Sequence, residues 1–400
     1  MNLQRQLRIL YALALVGRFG LAGPIWVVLL AGRGLSLGEI GLAEGFFHLV
    51  SFCCEVPSGM LADFIGRKRT LALSYGVGAL SGLCMLASQG MLGVCLAMGA
   101  TALAYNLASG TQEALVYESL LQAGCPQRYA GLAGRLSALG RMMETACTLL
   151  AGLTLWMGWR NAYTLGIAAS VLGLCLSLAL QEPDSNRQTE SNLAALSVPK
   201  AICNHIKHSI GFLFHNPVVA AVMVLSGLEG CCAYFGLQLM QQHLTSLQLS
   251  GNGLGAVLAC VPLLGALGAW MAGRSKKGFA HWAVASCAAI GVGIAVAGAP
   301  RLGLALLGGG LASLMDGAME IRVSSWLHQR LASSQRATLV SVQSMVYSTV
   351  MLPVSPLMGQ LCQSFGFGWG LAIFGTCFLT LAALGGALWC FFAGKKNNRL

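Results

Sequence analysis

The sequence predicts an all-α membrane protein of twelve transmembrane helices in two pseudo-symmetric six-helix halves. Three observations carry that expectation. Only 9% of the 400 residues are charged and 56% are hydrophobic, with a mean hydropathy of +0.71. A soluble domain carries about 25% charged residues, so lipid is the natural solvent for this surface. Apolar runs recur about twelve times at the length of about 20 residues that a spanning helix needs. Two motifs also recur at nearly one offset, 207 and 208 residues later.

The runs lie near 8–31, 40–62, 70–88, 92–120, 133–157, 160–181, 217–241, 250–272, 279–298, 302–327, 336–362 and 367–391. The first is too long for a signal-peptide core and is followed at once by others, so it reads as a retained helix. The alternation of a membrane β-barrel is absent. The 52 glycines follow no period and sit among Leu, Ala and Val, where small residues let membrane helices approach closely. Most of the 15 cysteines lie inside apolar runs as small hydrophobes, and no disulfide framework is expected. Cys53-Cys54 and Cys231-Cys232 have no His or carboxylate at ligand spacing, so no metal and no cofactor are expected.

The cations orient the bundle. Arg5, Arg8, Arg67, Lys68, Arg69, Arg128, Arg135, Arg187, Lys200, Lys207, Arg274, Lys276, Lys277, Arg330, Arg336, Lys395, Lys396 and Arg399 fall on one side. The other side holds Arg33, Arg160 and Arg301. The positive-inside rule then places both termini in the cytoplasm of a multi-pass plasma-membrane protein. The net charge of +11 reports this topology and not a nucleic-acid partner, for no basic stripe with interleaved aromatics is present.

Residues 1–181 form the first expected half, 182–216 a cytoplasmic linker and 217–400 the second half. The linker opens with the polar run Glu182–Asn192. After Pro199, Ile202, Ile206, Ile210 and Leu213 recur at helical spacing, with His205, Lys207 and His208 opposite, as in a helix lying on the membrane surface. The repeat pairs Gln127-Arg128 with Gln335-Arg336, and Gly66-Arg67-Lys68 with Gly273-Arg274-Ser-Lys276-Lys277. Parallel repeated halves with a substrate site between them are a recurrent transporter architecture. A twelve-helix bundle is complete alone, so a monomer is the expected unit.

Between the second and third runs stands Gly59-Met-Leu-Ala-Asp63-Phe-Ile-Gly66-Arg67-Lys68-Arg69. This segment resembles the Gly-x-Leu-x-Asp-x-x-Gly-Arg-Lys/Arg loop of major facilitator superfamily transporters. The preceding Glu55-Val-Pro57-Ser58 and the stretch Ser109-Gly110-Thr-Gln-Glu113-Ala-Leu-Val-Tyr117-Glu118 are similar to bacterial drug-exporter-like members. Asp63 sits at a helix end, where it can face Arg67 or the positive N-terminus of a neighbouring helix. The resemblance implies that this neighbour is the eleventh span, entered near Arg336, and that the contact latches the two halves on the cytoplasmic side. Glu118 is placed to join the network of Arg67 or Arg128, or to be solvated. The second-half copy has Trp270 where an acid would fall, so the latch is one-sided. Departures from the family also count. Asn106 stands where proton-coupled members carry an Arg four residues before a Gly, and Leu139-Gly140-Arg141-Met-Met-Glu144 lacks the antiporters' proline.

Ionisable groups inside a membrane are costly and point to function. At 1.5 Å per residue, Arg18, Glu144 and Glu229 lie roughly 15–18 Å deep, and Glu113 and Arg141 about 10–12 Å. The resemblance places spans one, four, seven and ten around a central cavity, so Arg18 is expected to pair with Glu144 or Glu229, one of which exchanges a proton. A static pair fixing helix register is the alternative. Glu44 and His48 lie one turn apart in the outer half of the second span, fit for a gate, a proton entry or a hydrogen bond within the bundle. Asp316 and Glu320, with Arg322 beyond, either line the inner vestibule or tie the tenth span to its neighbours. Trp26, Tyr105, Asn106, Tyr234 and Phe235 are the candidate cavity contacts for a substrate.

No phosphate loop follows a strand, and no His-Glu-x-x-His or Gly-x-Ser-x-Gly pattern occurs. The chain is not expected to be an enzyme. The expected activity is alternating-access secondary transport, as proton-driven efflux of small amphipathic or cationic compounds. Uptake of a polar metabolite by symport or facilitation, or a non-transporting receptor or scaffold, are the alternatives.

Overall fold

The computed structural model describes residues 2–183, 207, 211–249, 251–330 and 336–397. The amphipathic stretch expected after Pro199, with His205 and His208, lies outside these residues apart from Lys207, Gly211, Phe212 and Leu213. So does most of the polar run that begins at Glu182.

The first half contains α1 (Leu3–Val16), α2 (Trp26–Gly32), α3 (Leu37–Ile65), α4 (Arg67–Ala87), α5 (Met91–Ala108), α6 (Thr111–Gln122), α7 (Tyr129–Leu149), α8 (Ala151–Met157) and α9 (Trp159–Ala179). The second contains α10 (Pro217–Ser246), α11 (Asn252–Arg274), α12 (Phe279–Ala297), α13 (Leu302–Arg330) and α14 (Arg336–Asn397). Among the described residues no strand occurs, and nine helices are long and apolar enough to cross a membrane. The twelve expected spans are all present. The nine omit the first span, split into α1 and α2, and the fifth, split into α7 and α8. They also take α14 as one, although Gly366 at φ 80° divides it into the eleventh and twelfth.

Local chemistry sets the helix ends. A capping box opens α3: the Ser36 hydroxyl accepts from the Glu39 amide at 3.3 Å, and the Glu39 carboxylate accepts from the Ser36 amide at 2.8 Å. The turn from α3 into α4 passes through Gly66 at φ 93°, a conformation that a side chain resists.

Three expected spans are not continuous helices. The first breaks between Val16 and Trp26, where Gly17, Gly20, Gly23 and Pro24 leave only a short 3₁₀ turn over Gly23–Ile25. The fourth breaks at Ser109-Gly110, with Gly110 at φ 71°. The fifth breaks at Leu150. At 1.5 Å per residue the first two breaks lie roughly 18–21 Å along their spans, near the middle of a bilayer core of about 30 Å. Irregular backbone at that depth is stable only where protein or water satisfies it.

The halves meet chiefly along an antiparallel pairing of α3 with α14, supported by α2 against α10 and by α7 and α8 against α11. Down the α3–α14 seam, the Gly38 amide donates to the Gln363 side chain at 2.9 Å, Gly41 and Gly45 meet the Ser355 and Leu352 carbonyls, and Ser344 donates to Glu55 at 3.0 Å. Glu55 is still about 15 Å from the Ile65 end of α3, and beyond it Gly59 faces open space. Gly152 against Gly251, and Gly255 against the Thr148 and Leu149 carbonyls, close the same far end, away from the N-terminus.

The cores repeat this asymmetry. Toward the far end, two apolar clusters combine residues of both halves, such as Trp26, Val27 and Ile40 with Phe235, Leu239 and Met351. Toward the N-terminal end each half has its own core, Leu10, Leu71, Leu115 and Leu132 in the first and Val219, Met223, Met319 and Val342 in the second. Among the described residues, the bundle is closed at the far end and parted at the end that carries the N-terminus, where no core cluster spans both halves.

Candidate functional site

The parted end exposes a charged wall. Arg18 stands in the break that follows α1, held where Gly140 of α7 approaches the Arg18 stem and the Ala14 carbonyl. Its guanidinium lies 3.8 Å from the Glu144 carboxylate of α7, and the side chains are 64% and 58% exposed. Arg141, one turn before Glu144, is exposed, as is Glu113 in the first turn of α6, just past the break in the fourth span. Tyr105 and Met142 are also exposed. Two cations and two carboxylates therefore stand on the first half without a net charge.

Glu229 does not join them. It is buried in the second half, where Ser286 of α12 donates to its Oε1 at 2.6 Å and Cys287 at 3.1 Å. Of the two carboxylates expected to meet Arg18, only Glu144 does so in this state. Three expected cavity contacts are in the core. Trp26 and Phe235 are packed in the shared far-end cluster. Asn106 is a buried clasp between α5 and α3, donating to the Ser51 carbonyl at 2.6 Å and accepting from its hydroxyl at 3.0 Å. Tyr234 keeps an exposed flank.

Two more clusters contain expected residues. At the start of α4, Arg67 pairs with Asp63 at 2.7 Å and Glu118 at 3.5 Å. Sequence reasoning missed the third acid, Glu182, whose carboxylate accepts from the Arg67 and Lys68 amides at 2.6 and 2.8 Å. The available signal was an acidic residue immediately after the sixth span. Lys68 and Arg69 follow in the first turn of α4, and the side chain of Arg336, the expected latch partner, lies outside those described. On the seam, Glu44 and His48 are 3.4 Å apart and almost fully buried.

In the second half, Asp316 is half-buried and Glu320 exposed on α13. Arg322 donates to the Ala272 carbonyl and, at 2.6 Å, to that of Ser275, tying the tenth span to the eighth. Among the described residues no group of His, Cys, Asp and Glu side chains is arranged to hold a metal ion.

The sequence profile of the Major Facilitator Superfamily matches residues 8–348. This chain belongs to the Major Facilitator Superfamily. Solved superfamily structures share its fold. A point mutant of the nucleoside transporter NupG superposes with a TM-score of 0.76 at 16% identity, covering 96% of this chain and 99% of that one. A POT family transporter in complex with 5-aminolevulinic acid gives 0.69 at 12% identity, covering 95% of each chain. Tetrameric PepTSo2 gives 0.69 at 14% identity, covering 98% and 99%. No curated protein sequence matches the chain. Membership and fold make this superfamily chain a multi-pass membrane transporter and not an enzyme.

Proposed function

We propose that the protein is a proton-coupled, alternating-access transporter of the plasma membrane that moves a small polar solute bearing both an amine and a carboxylate. Its termini are cytoplasmic by the positive-inside distribution, so the parted end faces the cytoplasm. The observation that carries the solute class is the Arg18–Glu144 pair. An ion pair this exposed contributes about 0–1 kcal/mol, too little to account for placing two charges at mid-membrane depth. It is also easily divided: a carboxylate on the solute replaces Glu144 at Arg18, and an ammonium replaces Arg18 at Glu144. The breaks beside Arg18 and before Glu113 support a solute site here, since transporters build midplane sites from discontinuous helices. The nucleoside transporter and the POT family transporter in complex with 5-aminolevulinic acid, both of similar fold, are in keeping with a polar cargo.

Efflux of amphipathic cations is the second reading. It is favoured by Tyr105 and Met142, which are exposed on the same half as Glu113 and Glu144. The balanced charge of the wall weighs against it, because a cation-selective vestibule would carry net negative charge.

The test is thermal stabilisation of purified protein by amino acids, dipeptides, nucleosides and lipophilic cationic dyes, followed by radiolabelled uptake of the best hit into proteoliposomes. A zwitterion is expected to raise Tm by several degrees and to lose that effect in both Arg18→Ala and Glu144→Gln. Stabilisation by dyes alone, lost in Glu144→Gln but kept in Arg18→Ala, would replace this reading with the second.

A further inference from the structure

The seam that closes the far end buries a carboxylate and an imidazole with no fixed cation beside them. Glu44 and His48 occupy successive turns of α3, with Nε2 of His48 3.4 Å from Oε1 of Glu44 and side chains only 8% and 4% exposed for His48 and Glu44. Their surroundings come from the other half. Nδ1 of His48 lies 3.5 Å from the Ser348 hydroxyl of α14, and the Tyr347 ring meets the imidazole edge-on at 5.6 Å. From α10, the Tyr234 hydroxyl is within reach of the Glu44 carboxylate, and Cys231 feels its charge. The charge of Asp316 on α13 also reaches Cys231 and Tyr347. Among the described residues no arginine or lysine pairs with Glu44.

Counting charge limits what the closed seam can hold. A bare carboxylate buried there would be uncompensated. The pair is neutral only when it carries one proton, either as imidazolium facing carboxylate or as acid facing neutral imidazole. When the halves part at this end, α3 leaves α14 and α10, and both groups meet water. Water then solvates either charge alone, so the pair need no longer hold the shared proton.

We propose that Glu44 and His48 together form a proton-binding site whose occupancy is tied to closure of the far end. The seam closes with one proton bound, and opening releases it to the far-side water. Glu229 cannot serve this way, despite its burial, because its partners Ser286 and Cys287 belong to the same half and move with it. The inference rests on the alternating-access reading and names its coupling site.

The sign follows from the proton count: acid favours the closed seam, and closure weakens as pH rises. Hydrogen–deuterium exchange of the full-length protein in nanodiscs, from pH 5.5 to 8 and corrected for intrinsic exchange, reads this directly. In the wild type, protection of segments 37–50 and 344–363 should fall with rising pH, by up to about tenfold per pH unit, the slope for one linked proton. In Glu44→Gln/His48→Gln the seam should stay protected with no slope, whereas Glu229→Gln should keep the wild-type slope. Unchanged protection of segment 279–327 in each variant confirms that the fold is intact. A slope that survives in the double variant, or is lost in Glu229→Gln, overturns the proposal. No solute is required, so a missing transport activity leaves the result standing. A seam that opens without pH dependence overturns the proton site alone, and one that never opens in any variant overturns alternating access with it.

Discussion

Arg67 holds two carboxylates from two helices, and a third acid caps the helix that Arg67 begins. Asp63 and Glu118 share the guanidinium, while Glu182 accepts from the first two amides of α4. The α4 N-terminus has no side-chain cap of its own, because Gly66 stands at the cap position. Glu182 therefore supplies what Ser, Thr or Asp supplies elsewhere, and it complements the positive end of the helix dipole. Loss of a helix cap costs about 0.5–2 kcal/mol. Glu182→Ala should speed amide exchange in residues 67–72 by about 3–30-fold, read by mass spectrometry, with Glu182→Gln in between. The acid–base loop itself was legible in the sequence, since residue types at fixed short spacing define it. Glu182 was not, because it acts across 115 positions on backbone groups that no motif records. Distance in sequence also hid the partners of the buried acids. A similar depth was expected for Glu144 and Glu229, but only packing tells that one is exposed beside Arg18 and the other is enclosed by Ser286 and Cys287.

At the scale of helices, hydropathy located all twelve spans because each must supply about 20 apolar residues. It did not find the breaks in the first, fourth and fifth. Gly17, Gly20, Gly23 and Pro24 were visible, but Gly and Pro are common in membrane helices and do not lower mean hydropathy enough to divide a run. What distinguishes a broken span is whether freed backbone groups find protein or water, and that depends on neighbours. The seam poses the opposite problem, backbones that approach without a gap. A methyl at Gly41 would strike the Ser355 carbonyl, and one at Gly359 would strike the carbonyl of Leu37. Overpacking of this kind costs about 1–3 kcal/mol. Gly41→Ala and Gly359→Ala should each raise the opening of the far end about tenfold, seen as faster exchange in residues 37–50. The pH slope assigned to Glu44 and His48 should persist in both, since neither glycine touches the proton. A Gly59→Ala control meets open space and should change neither quantity.

For the whole molecule, the division of the core explains how one sequence supports two states. Clusters private to each half hold the N-terminal end of that half together whether or not the halves meet there, while the clusters shared at the far end must be broken when it opens. On the alternating-access reading proposed above, the two halves would rock as preformed bodies, with α3–α14 as the contact that is remade. The latch expected at Asp63 would, on the same reading, belong to the other state. Here the N-terminal end is parted, and the described partner of Asp63 is Arg67, one turn away on its own half. Asp63→Asn therefore takes little from the present state, in which Arg67 keeps Glu118. In the alternate state, with that end closed, the carboxylate would face the positive entry of the eleventh span, an interaction of about 0.3–1 kcal/mol. Removing it should shift the balance toward the parted form by about two- to fivefold. The measurement is labelling by a membrane-impermeant maleimide at an introduced Met142→Cys, an exposed position on α7, quantified by peptide mass in inside-out vesicles. Labelling should be faster in Asp63→Asn than in the parent. Arg67→Ala should not reproduce this effect, because it also strands Asp63 and Glu118 in the parted form. Slower labelling in Asp63→Asn would mean that the acid holds the vestibule open, and the latch would have to be assigned elsewhere.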